Sequence, residues 1–138
     1  MKTTLLVVGK VRSPYAEADA HYRRLLRRYQ PLDVIEVKAD RDLERRLPGD
    51  AHVVALEREG RACDSLAFAE WLRERRLAAR ALYFVIGGPD GIPAAVSGAA
   101  AERISFGPQT MAHQLARVVL LEQLFRASKI IAGETYHN

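Results

Sequence analysis

The chain of 138 residues contains a single cysteine, Cys63. One thiol cannot build an internal disulfide framework, so a reducing compartment is expected. The four histidines are scattered, and together with Cys63 they form no metal-ligand spacing, so no metal is expected. No apolar run approaches the ~18 residues of a membrane span. The apolar stretch at the N-terminus, "TTLLVV", is too short for a signal peptide and reads better as a strand. These absences point to a soluble cytoplasmic protein without membrane contact. Repeats and low-complexity linkers are also missing, and a single domain over residues 1–138 is expected. A further absence is local. The stretch "ALYFVIGGPDGIP", residues 81–93, is an apolar strand running into a glycine turn. It has no lysine and no following Ser/Thr, which excludes the Walker phosphate loop. Its glycine spacing, interrupted by Pro89, also excludes the dinucleotide fingerprint. The spacing alone leaves two readings: a strand-end turn with no ligand, or a turn whose bare backbone holds an uncharged or weakly charged group.

What is present is a substantial apolar fraction, 49%, with 28% charged residues and a net charge of +4. That balance supports a real core, and it permits a polyanionic partner without requiring one. Apolar strand-like runs alternate with helical patterns. Strands are expected over 3–8, 33–37, 51–56, 81–86 and 103–106. After the first strand, Ser13 reads as an N-cap and Pro14 as the first helical residue. Behind them Tyr15, Ala18, Tyr22, Leu25, Leu26 and Tyr29 recur at helical spacing up to Pro31. A short helix is expected over 40–47, another over 65–77 with Asp64 or Ser65 as cap, a further short one from Pro93, and a long one over 112–130. The alternation predicts an α/β fold, a parallel-type sheet with helices on both faces. Ligands of such sheets sit beyond the carboxyl ends of the strands. The loops after Leu56, Ile86 and Phe106 converge there if their strands are neighbours. The last helix is apolar on most sides, which fits either a central core helix or one that also faces a second subunit.

Two segments, "VIGGPDG" and "TMAHQLARVVLLEQLFRASKIIAGETYH", in this order and near the C-terminus, closely resemble the ribosomal RNA large subunit methyltransferase H family of the SPOUT superfamily. The N-terminal "LLVVGK" and "YRRLLRRYQPLDVIEV" are similar to it as well. The resemblance weakens over 39–50, where this chain is short, and over 94–102. It implies a methyltransferase that moves a methyl group from S-adenosylmethionine to N3 of a pseudouridine in 23S ribosomal RNA, acting on assembled ribosomes. It also implies a homodimer and a C-terminal deep trefoil knot that holds the cofactor. Carried over by position, the cofactor-binding residues are Leu56, Gly88, Pro108, Gln109, Thr110, Met111, Ala112 and His113. The missing lysine then has a chemical reason: this cofactor carries a sulfonium charge and no phosphate, and a lysine beside it would repel it.

Methyl transfer to an imide nitrogen needs positioning, loss of a proton and stabilisation of the developing anion. Glu122 and Arg126 are one helical turn apart. They read either as a surface ion pair or as a cation facing the target base, oriented by the carboxylate. Tyr136 and His137 lie where chain ends are usually disordered, but the resemblance places them in the active site, with Tyr136 stacking on a base and His137 as a candidate general base. His113 reads as structural or cofactor-lining, and Arg117 as a buried partner at an interface. Arg23, Arg24, Arg27 and Arg28, with Lys10 and Arg12, form either a phosphate contact or a solvated face. Ala112 stands where relatives often have proline, which is expected to loosen the cofactor loop slightly. Two alternatives stay open: a dimeric protein that binds the cofactor without chemistry, and a SPOUT methyltransferase with a different RNA target.

Overall fold

Strands β1 (Thr3–Val8), β2 (Leu32–Val37), β3 (His52–Ala62), β4 (Leu82–Ile86) and β5 (Glu102–Ser105) alternate with helices α1 (Tyr15–Leu26), α2 (Ser65–Ala78), α3 (Ala94–Ala99) and α4 (His113–Ile131). The structure is a computed structural model and describes residues 2–136. The strands form one sheet in the order β2-β1-β4-β3-β5, and every neighbouring pair is parallel. The expected α/β fold with a parallel sheet is therefore the observed one. No helix among the described residues is long and apolar enough to cross a membrane.

The central strands read as unbroken apolar runs because both of their faces are covered. Along β1, Leu5 and Val7 point into a core shared with Leu26 of α1, Phe68 and Leu72 of α2, and Leu120, Leu121 and Leu124 of α4. Leu6 and Val8 point the other way, into a smaller core with Val37, Leu43, Val85 and Val96. Thus α1, α2 and α4 cover one face. The opposite face is covered by α3 and by the connection between β2 and β3. Each fully buried Leu or Phe contributes about 1.5–3 kcal/mol relative to exposure, so the larger core carries most of the fold. Helix α4 packs against both α1 and α2, which makes it the central core helix. Leu115 and Ile130 are left exposed on it.

Three local expectations are corrected. Ser13 does not cap α1; Pro14 occupies the N-cap position without a side-chain bond, the Tyr15 and Ala16 N–H groups reach Arg12 O at 2.8 and 2.9 Å, and the Ser13 hydroxyl donates to Glu17 instead. The segment 40–47 is two 3-10 turns, Asp40–Asp42 and Glu44–Arg46, because it is too short for a stable helix once Leu43 is drawn fully into the core. Strand β3 does not end at Leu56. It bulges, so that Leu56 and Arg61 both pair with Ile104 of β5. Gly60 is required in the bulge: a Cβ there would lie 2.6 Å from the Ile104 carbonyl carbon. The cap on α2 is as expected, with the Asp64 carboxylate accepting the Ala67 N–H at 2.8 Å.

Arg117 of α4 is buried inside this chain. Its Nε donates to Asp19 of α1 at 2.6 Å and its Nη1 to Glu36 of β2 at 2.8 Å. Removing Arg117 leaves the buried Asp19 carboxylate with only Arg23 at 3.6 Å and takes away its link to Glu36. Arg117→Ala is expected to cost about 3–5 kcal/mol of stability, seen as a lowered midpoint in urea unfolding with an unchanged slope.

Candidate active site

Beyond the carboxyl ends of β3, β4 and β5 lies a cavity of about 810 Å³, within the range of small-molecule sites. Three segments wall it. The β3 bulge brings Glu57, Arg58 and Glu59, the turn after β4 brings Gly87, Gly88 and Gly91, and the segment 106–113 leads into α4. The last segment is shaped by Ser105, whose hydroxyl donates to Gly107 O at 2.9 Å and accepts the Gly107 N–H at 3.0 Å. Arg58 crosses the cavity mouth to donate to the Thr110 hydroxyl at 3.3 Å. The Gln114 side chain accepts the Arg12 N–H at 2.8 Å, which ties the loop after β1 to the start of α4.

Of the residues expected to hold a cofactor, Leu56, Gly88, Gln109, Thr110, Met111, Ala112 and His113 line this cavity, whereas Pro108 does not. Sequence reasoning missed Arg58, Arg103 and the bulge carboxylates, because it read the strand as ending at Leu56. The structure adds a second reason for glycine at position 88. A Cβ on Gly88 would strike Val8 Cγ1 at 2.8 Å, so its missing side chain makes room for β1. The Gly88 N–H is already donated to Asp40 at 2.7 Å.

A second cluster lies at the other end of α4. Arg126 Nη2 donates to Glu122 at 2.9 Å. The Tyr136 ring packs 4.5 Å from the Arg126 guanidinium and edge-on to Phe125 at 5.0 Å. The helix ends as Gly133 suggests: its φ is 72°, and the Gly133 and Glu134 N–H groups return to Ile130 O and Lys129 O at 3.0 and 2.9 Å. Glu134 then pins the tail to the segment after α1, accepting from Tyr29 Oη at 2.6 Å and Arg28 at 3.1 Å. The Tyr29 hydroxyl, with Lys129 and Arg28, holds the Glu134 carboxyl below its usual range. His137 lies outside the described residues. Cys63 is half-buried before α2, and burial pushes its thiol up. In the basic stretch, Arg23 is engaged with Asp19 and Arg28 with Glu134.

Among the described residues of one chain the two clusters do not meet. Among the described residues, none beyond Ala116 lines the cavity. Arg126 is 13 residues past His113 on one helix, about 20 Å away at about 1.5 Å per residue. A smaller hollow adjoins the cavity through Ile104, Phe106 and Gly107, with Val119 and Gln123 on its α4 wall.

The model of the family described as "Predicted SPOUT methyltransferase" matches residues 1–137. This chain belongs to the SPOUT methyltransferases. Within that family it groups with proteins named ribosomal RNA large subunit methyltransferase H. It is 44% identical to the one from Gemmatimonas aurantiaca, covering 99% of each chain, and 48% identical to the one from Rubrobacter xylanophilus, covering 99% of this chain and 98% of that one. The fold resembles that of a probable methylase family protein from Haemophilus influenzae, with a TM-score of 0.60, 10% identity, and 99% of this SPOUT chain and 70% of the other covered. It also resembles the SpoU methyltransferase AviRb from Streptomyces viridochromogenes, solved in complex with AdoMet, with a TM-score of 0.52, 12% identity, and 96% and 58% covered.

Burial first, and then the hydrogen bond to Glu122, push the Tyr136 phenol up to about 12. Its folded value exceeds its ordinary value near 10, so its contribution to stability is complete below pH 10 and is lost as pH climbs through about 12. Ultraviolet titration should show one of the five tyrosines ionising late, and Tyr136→Phe should remove that late step.

Proposed function

We propose that this SPOUT methyltransferase uses S-adenosylmethionine to methylate N3 of a pseudouridine in large-subunit ribosomal RNA, on assembled ribosomes, as a homodimer. The names of its relatives support the RNA class. The observation that carries the reading is the separation of the cavity from the cationic cluster along α4. A site built from one protomer leaves Arg126 about 20 Å along α4 from His113 in the cavity wall, at about 1.5 Å of rise per residue. A second copy related by twofold symmetry can bring its own α4 end to the first copy's cavity. The adjoining hollow under Val119 and Gln123 offers a seat for it.

The cavity fits the cofactor in size and character. Its walls are glycine backbone, Leu56, Ile86, Ile104 and Met111, with the Glu57 and Glu59 carboxylates at the bulge. Apolar walls suit adenine, and the two carboxylates are balanced by arginines in the same wall, Glu57 by Arg103 at 2.6 Å and Glu59 by Arg58 at 3.3 Å. When bound, S-adenosylmethionine supplies a methyl group activated by its sulfonium. The knotted path of the chain belongs to this reading and is supported by its membership of the SPOUT methyltransferases.

The remaining chemistry belongs to the chain's own residues. Arg126, oriented by Glu122, stabilises negative charge developing on the imide as N3 loses its proton. Glu122 already accepts from Arg126, Gln123 and Tyr136, which makes it an orienting group and a poor base. Tyr136 stays protonated at neutral pH, so it donates a hydrogen bond or stacks on the base and does not take the proton. His137 is left as the candidate general base.

The test is paired. Tritium transfer to ribosomes lacking the modification, with mass spectrometry of the product nucleotide, should show N3-methylpseudouridine in large-subunit RNA and poor reaction with isolated hairpins. Arg126→Ala should lose ~100-fold or more in transfer rate while calorimetric affinity for S-adenosylmethionine stays within a few-fold. Full transfer by Arg126→Ala would remove the cluster from the chemistry. Cofactor binding without any transfer would favour a binding protein.

A further inference from the structure

The turn after β4 is a glycine-rich turn with no lysine, and the structure shows what occupies its donors. Asp40 comes from the first 3-10 turn between β2 and β3, 48 residues away in sequence from Gly88. Its Oδ1 accepts the Gly88 N–H at 2.7 Å and its Oδ2 accepts the Asp90 N–H at 3.2 Å. Both carboxylate oxygens are thus used on one turn. The Gly91 N–H closes the turn on itself, at 3.0 Å from Gly88 O. Clustered backbone N–H groups of this kind form an anion-binding concavity. Here the anion is part of the chain.

Asp40 is itself held in place. The Asp42 carboxylate accepts the Ala39 N–H at 3.2 Å and pairs with Arg45 at 3.0 Å. Leu43, next in the chain, is fully buried in the smaller core. On the other side of the turn, Val8 leaves no space for a side chain on Gly88. The turn is therefore fixed from two directions, by β1 beneath it and by a carboxylate across its N–H groups.

We propose that Asp40 is a positioning residue for cofactor binding: its carboxylate fills the donors of the glycine turn and holds that turn in the shape that walls the cavity. This rests on the cofactor reading above. It gives the missing lysine a structural reason, since the turn's anion is built in and no phosphate has to be balanced. It also assigns a role to the short β2–β3 connection, which otherwise only covers a sheet face.

The test is calorimetry with S-adenosylmethionine on wild type, Asp40→Ala and Asp40→Asn, with and without added formate, alongside thermal melts. Asp40→Ala should weaken binding by about tenfold or more, the scale of a lost hydrogen bond to a charged group. Formate, a small carboxylate able to bridge the freed Gly88 and Asp90 N–H groups, should restore much of that affinity in the variant and change nothing in wild type. Asp40→Asn keeps one acceptor but turns an NH₂ group against a backbone N–H, so it should also bind weakly and show no formate rescue. At saturating cofactor, methyl transfer by Asp40→Ala should stay within about threefold of wild type, because the Arg126 cluster is untouched. Wild-type affinity in Asp40→Asn, or in folded Asp40→Ala, overturns the proposal, and so does a folded Asp40→Ala whose lost affinity formate does not recover. If Asp40→Ala fails to fold, Asp40→Asn decides. A wild-type chain that does not bind S-adenosylmethionine overturns the cofactor reading itself, which no variant result does.

Discussion

The length of α4 governs how this protein can work. Its first residue, His113, stands in the cavity wall, and its last turns carry Glu122, Arg126 and the tail that places Tyr136. A helix is a rigid spacer, and no bend of the tail removes the distance, because Tyr136 is packed back onto Phe125 and Arg126. The cavity and the cationic cluster are therefore separate devices among the described residues, and in the proposed homodimer a second copy brings them together.

Everything that locates α4 serves both devices. The helix lies between α1 and α2 over the larger core, and Arg117 fixes its rotation by binding α1 and β2 together. At one end, Gln114 and the Ser105–Gly107 turn set the cavity loop. At the other, Glu134 fastens the tail to Arg28 and Tyr29 of the segment after α1. The parallel sheet supplies the rest: β3, β4 and β5 end on the same side, so the bulge, the glycine turn and the segment 106–113 meet without any special arrangement.

Much of this was legible in the sequence where the signal is local. The apolar runs of β1 and β4 reflect burial on two faces, Asp64 announced the start of α2, and Gly133 announced the end of α4. The Glu122–Arg126 pair follows from helical spacing alone. Apart from the local Ser13 cap, the misreadings involve contacts distant in sequence. The β3 bulge is decided by pairing with β5, some 40 residues on, so "EREG" resembles an ordinary loop. Gly88 lines the cavity, and only the packing of Val8 shows why no side chain fits there. Asp40 carries no signal at all, because its partners are backbone N–H groups that any residue has. Arg117 was expected at an interface between subunits, but its acidic partners lie on α1 and β2 of the same chain.

The central claim, that a working site draws its cofactor wall from one protomer and its cation from the other, is tested most directly by mixed dimers. One variant, Ala112→Trp, places a large ring at an exposed position of the cavity wall; the other, Arg126→Ala, removes the cation. Each alone should be inactive in methyl transfer to ribosomes. Co-expressed in equal amounts, they should regain about a quarter of wild-type activity, since half of the dimers are mixed and one of the two sites in each is intact. No recovery above the single variants, in a sample shown by mass to contain mixed dimers, would contradict the account and place both functions in one chain.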